Sequence, residues 1–265
     1  MEIITTKLNH TNSKSKAELI SYITPNLTGA KNPALIFAPG GSYTHIDLDQ
    51  AEKVALRFAS FGYQVSILRY SLVDELQPLY PAPLYEMAEA MNVTHQNAKK
   101  WHVDSNRIIL MGFSVGGHIV SNFNNTWNSE WLSSQTNIDV KTLKPFATIL
   151  GFPVVTPADG FPDNATLDQW TDQPAQIAAD QNATKDNVPT FIWATTDDQL
   201  VSSKNAVDYF LALQAHGVPT ELHLFQHGPH GMALADETTA YDDRHVDHRI
   251  ASWVETSLAW LSELE

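Results

Sequence analysis

Ser114 sits in Gly112-Phe113-Ser114-Val115-Gly116, directly after the apolar run 107–111 and before polar-flanked helical sequence. A serine on a tight strand-to-helix turn needs small residues two before and two after it. Larger ones would drive neighbouring backbones together, and the serine itself is held at a strained φ. Gly112 and Gly116 occupy those two places. The chemistry that such a serine can do is nucleophilic attack, provided that an imidazole takes its proton and a carboxylate holds the imidazole in the required tautomer. Candidates for both partners follow later in the chain, Asp197-Asp198 and His227-Gly-Pro-His230-Gly231.

These residues need elements to position them, and the periodicity supplies a consistent set. Residues 2–8 and 17–23 flank a polar centre at 9–16, which predicts a leading antiparallel hairpin. The run 34–38 reads as a buried strand that ends at Pro39-Gly40-Gly41-Ser42-Tyr43. A helix is expected over 48–61, with Gly62 closing it, then a strand over 63–69. The stretch 70–83 is proline-rich and irregular, and 84–101 has helical spacing. Asp104-Ser-Asn-Arg gives a turn signal before the strand 107–111. Further strands are expected at 146–150, 190–194 and 220–225, with helices over 115–123, 203–216 and 244–261. Residues 152–187, rich in Pro, Asp, Asn and Gln, read as an excursion over the sheet that covers the site at Ser114, within one domain that spans 1–265. A hairpin followed by alternating strands and helices predicts a mostly parallel sheet covered on both faces. Ser114, the aspartate pair and the histidine loop would then all lie at carboxyl ends of strands, where such sheets collect their reactive groups.

Composition narrows the functions. The chain has 265 residues, 16 Lys and Arg against 30 Asp and Glu, hence a net charge of −14, and no cysteine. Phosphate or an anionic membrane surface finds no basic patch to offset its charge. Disulfides, thiol nucleophiles and cysteine-ligated metals are excluded. The first residues lack a basic segment followed by an apolar run, and no apolar stretch approaches the roughly 20 residues that a membrane helix requires, so a cytoplasmic location is expected.

Four segments together, Pro-Gly-Gly-Ser-Tyr at 39–43, Gly-Phe-Ser-Val-Gly-Gly-His at 112–118, Thr-Thr-Asp-Asp-Gln-Leu-Val at 195–201 and His-Gly-Pro-His-Gly at 227–231, resemble the α/β-hydrolase superfamily. More narrowly, they resemble its small bacterial carboxylesterases of the acetyl-xylan-esterase and feruloyl-esterase-like group. The resemblance implies an α/β-hydrolase fold with about eight strands and helices on both faces. It also implies a serine nucleophile at Ser114. The family's D-x-x-V pattern matches Asp198 and Val201, which favours Asp198 over Asp197 as the acid. The family's loop position favours His230 over His227 as the base. His227 is then a loop residue bonded to backbone, and Asp197 a solvated or turn-stabilising one.

An oxyanion forming on the substrate needs two N–H donors. The resemblance places one at Val115 and the other at Gly41 or Ser42. Pro39 and Ser42 stand where the family's HGGG loop has a histidine and its third glycine, so the choice between the two amides stays open. Tyr43, Tyr80 and Trp170 are candidates for the acyl or alcohol pocket, and each fits ordinary core equally. His118 reads as a packed helical histidine, and His245-x-x-His248 as a solvated helical face. No metal or other cofactor is called for. The expected partner is a small-molecule ester, and an exposed sheet edge or the final helix could support a homodimer. The function expected is hydrolysis of small acyl esters, acetylated sugars among them. The alternatives are a catalytically silent binding module of the same fold and a small peptidase. Activity should fall as pH drops through the region near about 6.5, where an ordinary histidine protonates.

Overall fold

The computed structural model describes residues 1–8 and 14–264. The polar centre of the leading hairpin falls largely on 9–13, outside the described residues. Eight strands form one sheet: β1 (Glu2–Lys7), β2 (Glu18–Ile23), β3 (Asn32–Ala38), β4 (Gln64–Arg69), β5 (Val103–Phe113), β6 (Ala147–Gly151), β7 (Thr190–Thr195) and β8 (Thr220–Phe225). Their spatial order is β1-β2-β4-β3-β5-β6-β7-β8. β1 pairs antiparallel with β2, as the hairpin reading expects, and β2 antiparallel with β4; every later pairing is parallel.

Side-chain alternation on the central strands builds two cores. Leu35 and Phe37 of β3, with Ile109, Met111 and Phe113 of β5, pack on one face against α1 (Leu48–Ser60). Ala34, Ile36 and Ala38, with Ile108 and Leu110, pack on the other face, against α2 (Ala82–Asn97) and α3 (Val115–Thr126). Each large apolar side chain so removed from water contributes about 2 kcal/mol before the cost of ordering it. Two short helices follow α3, α4 (Glu130–Thr136) and α5 (Val140–Leu143). The excursion after β6 carries α6 (Asn164–Trp170) and three 3-10 turns, and α7 (Lys204–Ala215) bridges β7 to β8.

The irregular segment after β4 is pinned by buried charge. Arg69 at the strand end makes two bonds to the Glu75 carboxylate, one of 2.8 Å, and Glu75 also accepts the Lys16 N–H. Glu86 of α2 accepts the Ser71 N–H at 2.8 Å and pairs with the Ser71 hydroxyl, and burial pushes its carboxyl above the usual range.

Two elements differ from expectation. The Asp104–Arg107 turn signal lies inside β5. There the register with β3 jumps from Asn32↔Val103 to Ala34↔Ile108, and Asp104 accepts the Asn106 N–H, so the turn chemistry is spent on a bulge. The final helix is split. A 3-10 turn at Asp243–His245 precedes α8 (His248–Ala251) and α9 (Trp253–Glu263). The Asp247 carboxylate accepts the Arg249 and Ile250 N–H groups and starts a new helix there, so the 244–261 pattern becomes α-helical only from 248. His245 is accordingly buried and bonded to Asp242, not part of a solvated face.

Candidate active site

The turn between β5 and α3 is as tight as its glycines require. A Cβ on Gly112 would lie 2.2 Å from the Gly116 carbonyl oxygen, and one on Gly116 would lie 2.0 Å from that of Ala38. Ser114 between them has φ 53° and ψ −121°, a backbone conformation that a non-glycine residue keeps only when its surroundings enforce it. They do: the Ser114 N–H donates to Gly151 at the end of β6, and its carbonyl accepts from His118 and Val154. Gly40 packs against the serine, where a Cβ would stand 3.1 Å from that of Ser114.

The exits of β7 and β8 are knitted into one unit. Thr196 N–H donates to the Phe225 carbonyl, the Thr195 hydroxyl to Gly228, and the Asp197 carboxylate accepts the Gly228 N–H at 2.8 Å. From this platform Asp198, whose side chain is 1% exposed, receives the Leu200 and Val201 N–H groups on one oxygen, at 2.8 and 3.0 Å. Its other oxygen lies 2.7 Å from His230 Nδ1, and His230 Nε2 lies 2.8 Å from Ser114 Oγ. A carboxylate only accepts, so Nδ1 carries the proton and Nε2 presents its lone pair to the serine hydroxyl. The Phe152 ring stands edge-on to the imidazole, with centroids 5.0 Å apart.

Both pairs of alternatives in the sequence therefore resolve into separate carboxylate–imidazole contacts. Asp197 pairs with His227 at 2.9 Å in the open, the His227 side chain being 72% exposed, and this pair does not touch Ser114. His227 thus bonds a carboxylate and not backbone as expected. Asp197 does stabilise a turn, through Gly228, and the bonds from His227 and Gly228 hold its carboxyl below the ordinary range.

Ser114 and His230 open into a cavity of about 210 Å³. Phe37, Ala51, Val54, Phe113 and Phe152 make its apolar part, and His45, Asp47, Gln50 and Tyr241 its polar rim. Gly41 and Ser42 also line it. Val115 opens α3, where its N–H has no carbonyl one turn earlier to bond. Gly41, at φ 132°, is fixed as glycine because a Cβ there would meet the His45 carbonyl at 1.9 Å.

The three aromatic pocket candidates are elsewhere. Tyr43, Tyr80 and Trp170 do not line this cavity; they form a buried cluster around His118. Tyr43 turns inward at φ 59°, its hydroxyl 2.8 Å from that of Tyr80, 3.0 Å from His118 Nδ1 and within reach of the Val115 carbonyl; Trp170 packs edge-on to it at 4.7 Å. Burial lowers the His118 pKa to about 4, so the ring is neutral, and donation to the Ile177 carbonyl puts its one proton on Nε2. Of the excursion 152–187, Phe152 alone among the described residues lines the Ser114 cavity. Phe152, Gln50 and Tyr241 carried no signal in the sequence. Asp47 carried the weak one of a helix cap, with its carboxylate accepting the Gln50 N–H.

A family model described as BD-FAE matches residues 21–213. The chain belongs to the BD-FAE family. The crystal structure of the carboxylesterase Cest-2923 from Lactobacillus plantarum WCFS1 superposes with a TM-score of 0.93 at 31% identity, over 99% of this chain and 98% of that one. An acetylxylan esterase from Xylanibacter ruminicola is 21% identical over 91% of this chain, and an endo-1,4-beta-xylanase B from Butyrivibrio fibrisolvens 26% identical over 78%. This chain spans 48% of the length of the first of these two and 33% of the second. The fold of this BD-FAE member is the α/β-hydrolase fold. Among its described residues no helix is long and apolar enough to cross a membrane.

Proposed function

We propose that this chain is a serine carboxylesterase that hydrolyses small acyl esters, acetyl esters above all, through an acyl-enzyme intermediate. One observation carries the reading: the unbroken line Ser114 Oγ–His230–Asp198, at 2.8 and 2.7 Å, in the wall of a small cavity. His230 takes the hydroxyl proton as Ser114 Oγ attacks the ester carbonyl carbon, and then delivers that proton to the departing alkoxide, so the alcohol leaves and the acyl group stays on the serine. Water repeats the sequence on the acyl-enzyme: His230 accepts its proton, the carboxylic acid departs, and Ser114 is regenerated. Asp198 fixes the tautomer and balances the imidazolium. The oxyanion formed in each half is assigned to the Val115 N–H and to that of Gly41 or Ser42, donors usually worth about 3 kcal/mol each in a dry site.

A cavity of about 210 Å³ favours acetyl over long acyl chains, and the similarity to an acetylxylan esterase supports acetylated sugars as the substrate class. A net charge of −14 supports neutral esters as partners, with neither nucleic acid nor an anionic membrane surface involved. A cytoplasmic location and a homodimer built on the β1 edge or α9 belong to the same proposal; cell fractionation and light scattering test them. The direct test is a series of p-nitrophenyl esters of increasing acyl length against wild type and Ser114→Ala. Acetate is expected to be hydrolysed fastest, and Ser114→Ala to be inactive with an unchanged melting curve. Undiminished hydrolysis by that variant would end the assignment.

A further inference from the structure

Away from Ser114, a larger cleft of about 560 Å³ opens between α2, α4 and the 171–182 part of the excursion. That size lies within the roughly 300–1,000 Å³ of small-molecule sites. One wall is aromatic. Tyr85 of α2 and Trp131 of α4 stand with ring centroids 5.6 Å apart and planes 39° from each other, and Trp131 is 43% exposed although no core requires it there. The facing wall offers amides and one carboxylate, Gln173, Gln176 and Asp172 among them. At its base, the buried Asn122 donates its amide N–H groups to the His118 and Ile177 carbonyls, which leaves its Oδ1 free to accept.

We propose that this cleft is a second binding site for a neutral pyranoside, a xylo-oligosaccharide segment, separate from the catalytic cavity. A pyranose ring presents a flat C–H face ringed by hydroxyls that both donate and accept. An exposed indole next to a phenol covers such a face, and side-chain amides pair with such hydroxyls. Among the described residues no Lys, Arg or His lines the cleft, and Asp172 is the one carboxylate there, so a phosphate or carboxylate ligand would meet no counter-charge. The cleft would hold an unmodified stretch of chain while an ester elsewhere on the polymer reaches Ser114. The choice of xylan as the sugar rests on the esterase reading; the site itself does not.

Isothermal titration of unacetylated xylotetraose separates the two. Wild type and Ser114→Ala are expected to bind it saturably and alike. Trp131→Ala is expected to weaken binding about tenfold or more, the usual cost of truncating a central aromatic contact, with kcat/KM on p-nitrophenyl acetate unchanged. Gln173→Ala/Gln176→Ala on the opposite wall is expected to weaken it as well, which guards against a fold defect in one variant. Xylotetraose binding retained by a protein that hydrolyses no ester would sink the esterase reading and leave the cleft standing. Absence of saturable binding by wild type, equal affinity in Trp131→Ala, or binding abolished once Ser114 is blocked by a fluorophosphonate would overturn the proposal.

Discussion

Replacing Asp198 by asparagine exchanges one oxygen for an NH2 and little else. The oxygen that accepts the Leu200 and Val201 N–H groups at 2.8 and 3.0 Å has to remain an oxygen, so the new NH2 faces His230 Nδ1 across the 2.7 Å contact. Two donors cannot share that contact; the imidazole answers by moving its proton to Nε2, which points at Ser114 Oγ from 2.8 Å. The lone pair that should take the hydroxyl proton is then absent. A histidine held in the wrong tautomer costs a serine protease with a Ser-His-Asp triad about 10⁴ in kcat. That is about 5 kcal/mol in activation free energy at roughly 1.4 kcal/mol per tenfold. The assay is steady-state hydrolysis of p-nitrophenyl acetate, with urea unfolding to show that the fold survives. Asp197→Asn is the internal control. Its carboxylate faces the exposed His227 and not His230, so its kcat is expected to stay within about tenfold of wild type, as for a solvent-screened pair. Asp198→Asn keeping more than a tenth of wild-type kcat, or Asp197→Asn losing as much as Asp198→Asn, would rule out control of the His230 tautomer by Asp198.

Three further outcomes follow from the geometry. Gly116→Ala puts a Cβ 2.0 Å from the Ala38 carbonyl oxygen, so it should cost about 3 kcal/mol or more of stability in urea melts; a loss under about 1 kcal/mol would contradict the packing of the turn. His118 is buried neutral with its pKa lowered to about 4, so the unfolded chain binds a proton there that the folded chain does not. Stability should therefore fall as pH drops from about 6.5 to about 4, by about 3 kcal/mol from this residue, and change no further below that. In His118→Gln this part of the slope should vanish, and identical pH slopes in the two proteins would exclude it. Arg69→Met leaves the Glu75 carboxylate, 3% exposed, without its partner, which should cost about 3 kcal/mol or more in thermal or urea unfolding. A smaller cost in Arg69→Met/Glu75→Leu than in the single variant would identify the stranded charge as the cause.

Much of the site was legible because its parts are local. Two glycines flank the serine at the spacing that a strand-to-helix turn needs, and D-x-x-V is the spacing at which Asp198 accepts the N–H of Val201. The pairing of Asp197 with His227 was not legible. Neighbouring aspartates point to different partners once β7 and β8 lie side by side, and only the sheet register fixes which. The aromatic residues were misplaced for a related reason. Tyr43 stands next to the loop that lines the Ser114 cavity, yet its φ is positive and its ring packs inward against the first turn of α3, at Val115 and His118. Phe152, a single aromatic at a strand exit, reaches His230 instead. The split of the last helix shows the reverse case: the apolar stripe read correctly, but one carboxylate at Asp247 offered the backbone a better start.

Residues within a few positions of one another set the alternation of strands and helices and the turn that exposes Ser114. Tertiary structure decided the rest. β3 lies between β4 and β5, so the loop after it runs beside Ser114 and brings Gly41, Asp47 and Gln50 to the cavity; β8 closes the edge next to β7 and swings His230 back over the serine. Cavity size and lining are sums over contacts between segments far apart in the chain, and no local pattern encodes them.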